Sequence, residues 1–179
     1  LEDENIDIGV VTHGQGLNWL QVTLTGRESH TGSTPMPKRV NAGLGMARIT
    51  QLVDEIAWSH APLAVGAVGH CDVYPNSRNI IPGMAVFTID FRHPTQGVID
   101  DMEQRLRDGA KKICDDMGLE IEIEQAGQFD PVKFDDGCVS AIRRAAERLG
   151  YSHRDIVSGA GHDACWINRT APTAMVMCP

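Results

Sequence analysis

The fold is decided by a stretch in which apolar and polar residues alternate, MAVFTIDFR at residues 84–92. The apolar positions on one side of this stretch are Ala85, Phe87, Ile89 and Phe91. Alternation with a period of two is typical of a β-strand that buries one face and leaves the other wetter. We therefore predict a strand over 84–92, with its aromatic face in the core.

The segments on either side of this strand predict two helices and three more strands. Before it, residues 17–26 and 64–74 have strand composition, and apolar residues recur at helical spacing over 39–60. After it, residues 96–117 predict an amphipathic helix and residues 119–125 a strand with one wet face. The resulting order, β-α-β-β-α-β, is that of a ferredoxin-like domain with a four-stranded antiparallel sheet and two helices on one face. The predicted fold class is α+β.

The pattern changes at residues 127–133, where Gly127 and Pro131 predict a domain boundary. Residues 135–150 then predict a helix, and residues 154–179 predict strand, turn, short helix and strand. This tail is typical of part of an α/β domain. The apolar run at 174–178 predicts a buried strand at the chain end, so we expect a piece of a longer protein; a natural C-terminal strand is the alternative.

Composition excludes several classes of partner. The chain has 179 residues and a formal net charge of −8, which disfavours binding to nucleic acid or to an anionic membrane by bulk charge. No apolar run approaches the roughly 18 residues that a membrane helix needs. The five cysteines are odd in number and form no C-x-x-C pair, so free thiols in a reducing cytoplasm are expected.

The first candidate site is the loop SHTGSTPM at residues 29–36, which contains His30. A histidine in a loop of this composition is accessible to solvent and free to contact a ligand. A loop histidine without a role is the alternative, and the loop alone favours it.

The second candidate site combines the loop NSRN at residues 76–79 with Arg92. We expect Asn79 and Arg92 to lie at the same end of a hairpin, where an amide and a guanidinium suit a carboxylate. Turn chemistry for the asparagines and a surface ion pair between Arg92 and Asp90 are the alternative.

The third candidate site is SGAGHDA at residues 158–164, where two glycines precede a short helix. Backbone N–H groups here can approach a carbonyl oxygen, and His162 can donate to a developing oxyanion. The spacing is not that of a nucleotide-binding loop. His30, His162 and Asp163 are metal ligands by type, but no motif of the H-E-x-x-H kind accompanies them, and no metal ligand is predicted in this chain.

Four motifs in order carry a resemblance to a known family: SHTGSTPM at 29–36, YPNSRNIIPG at 74–83, DFR at 90–92 and SGAGHDA at 158–164. Together they resemble the N-carbamoyl-L-amino-acid amidohydrolases and their relatives β-ureidopropionase and allantoate amidohydrolase. These are dinuclear-metal amidases of the aminoacylase-like zinc peptidase superfamily. The resemblance covers essentially the whole chain.

The resemblance implies an α/β catalytic domain interrupted by a lid domain that also forms the homodimer. Residues 16–126 match the lid, and residues 1–15 and 127–179 match parts of the catalytic domain. The implied substrate is a small N-carbamoyl or ureido acid, attacked by hydroxide held between two divalent metal ions, zinc or manganese. The metal ligands and the general-base glutamate are expected outside this chain, which would then bind no metal and be inactive alone.

The resemblance also assigns roles to individual residues. His30 resembles the catalytic lid histidine that reaches the neighbouring subunit's active site to polarise the scissile carbonyl. Asn79 and Arg92 resemble the pair that binds the substrate carboxylate, and Gly161 and His162 resemble a substrate-binding motif near the metals. Two other functions stay open: an aminoacylase or dipeptidase of the same superfamily, and a dimerisation module without catalysis.

Overall fold

The computed structural model describes all 179 residues, which form a mixed α+β architecture. The strands are β1 (Ile8–Gly14), β2 (Gly16–Thr25), β3 (Ser29–His30), β4 (Val65–Tyr74), β5 (Ile80–Ile81), β6 (Met84–His93), β7 (Glu120–Phe129), β8 (Val132–Lys133), β9 (His153–Ser158) and β10 (Met175–Met177). The α-helices are α1 (Ala42–Ser59), α2 (Gln96–Met117), α3 (Asp136–Leu149) and α4 (Asp163–Ile167). None of these helices combines the length and the apolar character needed to cross a membrane.

The chain divides into two compact units. The smaller unit comprises residues 1–16, 93–96 and 130–179, and the larger comprises residues 17–92 and 97–129.

The larger unit is built on a four-stranded sheet with the strand order β4-β6-β2-β7. Both outer pairs, β4 with β6 and β2 with β7, are antiparallel. The alternating stretch at residues 84–92 lies in β6, and its predicted apolar face is buried, with Phe87 and Phe91 fully enclosed. Residues of β2, β6, α1 and α2 share one core, so both helices cover the same face of the sheet. The opposite face of the sheet is left open.

The smaller unit is built around β1, which the sequence reading missed. β1 pairs antiparallel with β10 and β8 and parallel with β9, and α3 packs beside β1 and β9. Val10 and Val11 are completely buried. A central strand covered on both sides shows consecutive apolar residues instead of alternation, so its periodicity gives no strand signal.

Other differences from the predicted elements are small. The short strands β3 and β5, which pair with each other, lie at the predicted loops around His30 and Asn79. The strand β7 continues to Phe129, past the predicted end at residue 125. The predicted tail of strand, turn, short helix and strand is confirmed by β9, α4 and β10.

A titrating carboxylate caps the N-terminus of α3, so the stability of the protein depends on pH. The Asp135 carboxylate accepts a hydrogen bond from the backbone N–H of Cys138 at 2.8 Å, and this bond lowers the pKa of Asp135. Because the pKa of Asp135 is lower in the folded state, its charge stabilises the fold fully at pH values above the unfolded-state pKa of about 3.9. This stabilisation is lost as the pH falls through the folded-state pKa.

We therefore expect Asp135→Asn to be less stable than the parent at pH 7 and to approach it in stability near pH 3. Asparagine keeps an acceptor oxygen but carries no charge to titrate. Urea unfolding midpoints of both proteins at the two pH values measure this. A difference that stays constant with pH would contradict the assignment of the cap.

Candidate functional site

A two-stranded ladder brings His30 and Asn79 together. His30 on β3 pairs with Ile80 on β5, and the backbone N–H of Thr31 donates to the Asn79 carbonyl at 2.9 Å. Both side chains are exposed to solvent. Two loops that are about fifty residues apart in sequence thus present an imidazole and an amide at one end of the larger unit.

The loop fixes the tautomer of the His30 ring. The backbone N–H groups of Gly32 and Ser33 both point at Nδ1, at 3.0 and 3.1 Å. Nδ1 is therefore the acceptor, and the proton of the neutral ring sits on Nε2. An exposed Nε2–H is a donor for a carbonyl oxygen, and it is available without protonating the ring.

Arg39 holds the His30 loop in shape. Its guanidinium donates to the carbonyl of Thr31 at 2.6 Å and to that of Thr34 at 3.0 Å. Sequence reasoning missed this residue. Its signal was weak: an arginine just after a loop rich in small polar residues, which offers many carbonyl acceptors.

Asn79 is oriented by its neighbour Ser77. The Ser77 hydroxyl donates to Asn79 Oδ1 at 3.0 Å. The acceptor end of the amide is therefore engaged locally, and the Nδ2 end presents two donors to a ligand. Such an orientation suits a carboxylate or a carbonyl.

Arg92 lies on the open face of the sheet and is clamped by Asp90. Its Nε donates to both Asp90 carboxylate oxygens at 3.0 and 3.1 Å, and its Nη2 donates to Oδ2 at 2.6 Å. Hydrogen bonding to Asp90 is the main cause of a raised pKa for Arg92, although partial burial acts in the opposite direction. The ion pair raised as an alternative from the sequence is present. It also holds the guanidinium in one orientation, as binding an anion requires.

The prediction that Asn79 and Arg92 lie at the same end of the hairpin is wrong. Arg92 stands opposite Val65, whereas the connection that carries Asn79 leaves from Tyr74, which stands opposite Met84. Eight residue steps along β6 separate the two ends, or about 26 Å at the usual rise per residue. The strands are too long for one subunit to bring both side chains to one carboxylate.

His162 and Gly161 belong to the smaller unit, where His162 is the N-cap residue of α4. The Ser158 hydroxyl lies 3.0 Å from His162 Nε2 and 3.1 Å from the Ala160 carbonyl. Since the hydroxyl donates its single proton to that carbonyl, Nε2 is the donor to Ser158, and Nδ1 of the neutral ring is an acceptor. The sequence suggested that His162 donates to an oxyanion; with Nε2 bonded to Ser158, the remaining nitrogen, Nδ1, can donate only from the protonated ring. Gly161 is exposed, and a Cβ atom added there would have no other atom within 4 Å.

The residues of this chain do not by themselves assemble a metal centre. No group of three or more His, Cys, Asp or Glu side chains converges in a way that holds a metal ion. The candidates by type, His30, His162 and Asp163, belong to no such group, so they do not fit a dinuclear site.

Comparison with known proteins names the family to which this α+β chain belongs. The profile of "Peptidase family M20/M25/M40" matches residues 1–179, so the chain belongs to that family. Among curated relatives, it is 58% identical over 179 residues to an N-carbamoyl-L-amino-acid amidohydrolase of Rhizobium meliloti, covering 100% of this chain and 43% of that protein. An allantoate amidohydrolase of Escherichia coli (strain K12) is 34% identical, again over 100% of this chain and 44% of its own length.

A solved structure shows the same architecture. A hydantoinase/carbamoylase family amidase from Burkholderia multivorans superimposes with a TM-score of 0.97 at 54% sequence identity, covering 100% of this chain and 44% of the other. The resemblance stated from the sequence is thus confirmed, and the chain spans less than half the length of these relatives.

Proposed function

We propose that the chain is part of an amidohydrolase that cleaves the carbamoyl or ureido C–N bond of N-carbamoyl amino acids. The observation that carries this proposal is 58% identity, over every residue of the chain, to a protein named for that activity. The relative named for allantoate is also named for an amidohydrolase activity, which supports the same class of reaction. The 179 residues alone are proposed to be inactive.

We assign the larger unit as the lid and dimerisation domain, near the predicted span 16–126, and the smaller unit as part of the catalytic domain. The strand order β4-β6-β2-β7, numbered within the unit, reads 2-3-1-4, and both helices lie on one face. This order supports a ferredoxin-like lid. The homodimer is proposed to form through it.

The site is proposed to be shared between two subunits. His30 and Asn79 lie at one end of β6 and Arg92 lies at the other, about 26 Å away along the strand. One substrate, a few ångströms across, cannot contact both ends of one lid. A complete site therefore takes His30 and Asn79 from one subunit and Arg92 from its partner.

Each residue has a role that follows from its geometry. The Arg92 guanidinium, held by Asp90, binds the substrate carboxylate, and the Asn79 amide donates to the same group from the other subunit. The His30 Nε2–H donates to the oxygen of the scissile carbonyl, where negative charge develops during attack. Gly161 and His162 contact the substrate, with the Nδ1 of His162 as an acceptor for its N–H groups.

The metal ions that the resemblance implies are assigned to other parts of the full-length protein. The side chains of this chain form no metal-binding group, and the relatives are more than twice as long. No step of the proposal is derived through those ions.

A substrate panel on the full-length protein tests the function. We expect release of ammonia from N-carbamoyl-L-amino acids with kcat/KM about 100-fold above that for N-acetyl amino acids or dipeptides, because the site is built to bind a polar ureido group. Allantoate, a ureido acid, is included to separate the two activities named among the relatives. Preference for the N-acetyl or dipeptide compounds would replace this proposal by an aminoacylase or dipeptidase, and turnover of none of them would leave the dimerisation module.

A further inference from the structure

The open face of the larger sheet carries a trough of about 370 Å³. Its lining includes Trp19 on β2, Ala67 and Gly69 on β4, Thr88 and Asp90 on β6 and Ala126 on β7. These residues come from all four strands, so the trough crosses the middle of the sheet. Its volume falls in the lower range of small-molecule sites.

Two β-bulges and a run of small residues create the trough. On the β4 side, Gly69 and His70 together stand opposite Thr88, and the His70 backbone N–H donates to the Thr88 hydroxyl at 3.0 Å. On the β7 side, Ala126 is the extra residue between the partners of Trp19 and Leu20. Bulges twist the edge strands away from the sheet, and small side chains leave the space unfilled.

The wall of the trough is the Trp19 indole, which is 45% exposed. The ring lies against Gly127, where an added Cβ would come within 3.3 Å of its Cε3 atom. A glycine opposite the tryptophan thus lets the ring lie across the neighbouring strand. An exposed aromatic ring beside an unfilled apolar depression is typical of a ligand contact and not of a satisfied core.

Arg92 stands at the rim of this trough. Asp90 lines the trough and also holds the Arg92 guanidinium at 2.6 Å. In an amino acid derivative, the carboxylate and the side chain leave the same carbon atom. A substrate whose carboxylate is bound by Arg92 therefore places its side chain within a few ångströms of the trough.

We propose that this trough is the subsite for the substrate's amino acid side chain, and that it selects large apolar side chains, aromatic ones above all. The inference rests on the proposed function and on the carboxylate role of Arg92. The one carboxylate in the lining, Asp90, is neutralised by Arg92, so the trough offers no charge to a cationic side chain. The Trp19 ring offers an aromatic partner, and the volume accommodates a benzyl or indolylmethyl group.

The experiment fills the trough in the full-length enzyme. Ala67 is exposed, so Ala67→Phe places a ring in the trough without disturbing the core. We expect the ratio of kcat/KM for N-carbamoyl-L-phenylalanine to that for N-carbamoylglycine to fall by about tenfold or more, as losing an apolar pocket implies. Trp19→Ala is expected to lower the same ratio from the opposite wall. Thr23→Phe, on the same face but outside the trough, is the control, and its ratio is expected to equal the parent's.

The outcomes separate this inference from the proposed function. If neither substrate is hydrolysed by the parent enzyme, the proposed function fails. If both are hydrolysed but Ala67→Phe and Trp19→Ala leave the ratio unchanged, the function stands and the subsite is refuted. A fall in folding stability with an unchanged ratio would show that the trough is packed by another part of the protein, which also overturns the inference.

Discussion

Replacing Arg92 by alanine in the full-length protein is expected to raise KM for N-carbamoyl amino acids about 100-fold, the cost of removing the charged partner of a bound carboxylate. The expected loss of substrate affinity has a second cause in this structure. Asp90 now forms three hydrogen bonds with Arg92, and without it an unpaired carboxylate faces the incoming one. Steady-state kinetics measure the effect, and kcat is expected to change less than KM.

Two further variants make the Arg92 result specific. Arg92→Lys keeps the charge but loses the planar fork, so it is expected to recover only part of the affinity. Arg148→Ala, at an exposed position of α3, is the control and is expected to leave KM unchanged. If Arg92→Ala matched this control, Arg92 would be a structural partner of Asp90 and the carboxylate site would lie elsewhere.

Replacing His30 by alanine is expected to lower kcat by about 100- to 1,000-fold, as measured when one donor to a developing oxyanion is removed. The structure supports this because the loop engages Nδ1 twice and leaves Nε2–H outward. The affinity for substrate is expected to change little, since the bond strengthens only as negative charge develops.

The control for His30 is a second exposed histidine of the same unit. His70 pairs with Asp72 at 2.8 Å and has no proposed role, so His70→Ala is expected to keep the parent's kcat. An unchanged kcat in His30→Ala would remove His30 from the catalytic machinery and leave it as a loop histidine.

Much of the larger unit could be predicted from local pattern. The sequence of β6 alternates because one face of the strand packs in the core and the other does not. The apolar residues of α1 and α2 show helical spacing for the same reason. β1 could not be predicted in this way. It pairs with strands on both sides and buries consecutive valines, so its apolar and polar residues do not alternate. The bulges at Gly69 and Ala126 could not be predicted either, since each depends on which residue of the neighbouring strand stands opposite.

The candidate site was predictable in its residue types and not in its arrangement. The loop around His30 is recognisable from its sequence as accessible to a ligand. The use of Nδ1 as the acceptor is not, because it depends on backbone N–H groups that point at the ring only in the folded loop. The prediction that Asn79 and Arg92 share one end of the hairpin failed because the connection that carries Asn79 enters β6 at Met84. Arg92 lies at the other end of the same strand.

A mixing experiment with two impaired variants tests the shared site most directly. His30→Ala and Arg92→Ala proteins are dissociated together, reassociated and assayed with an N-carbamoyl-L-amino acid at a concentration below the parent's KM, where each variant alone has little activity. A mixed dimer has one intact site, which takes Arg92 from the His30→Ala subunit and His30 from the Arg92→Ala subunit, and one site that lacks both residues. Random pairing makes half of the dimers mixed, so about one quarter of the parent's activity is expected to return. No recovery, in samples where differently tagged subunits prove that mixed dimers have formed, would contradict the account.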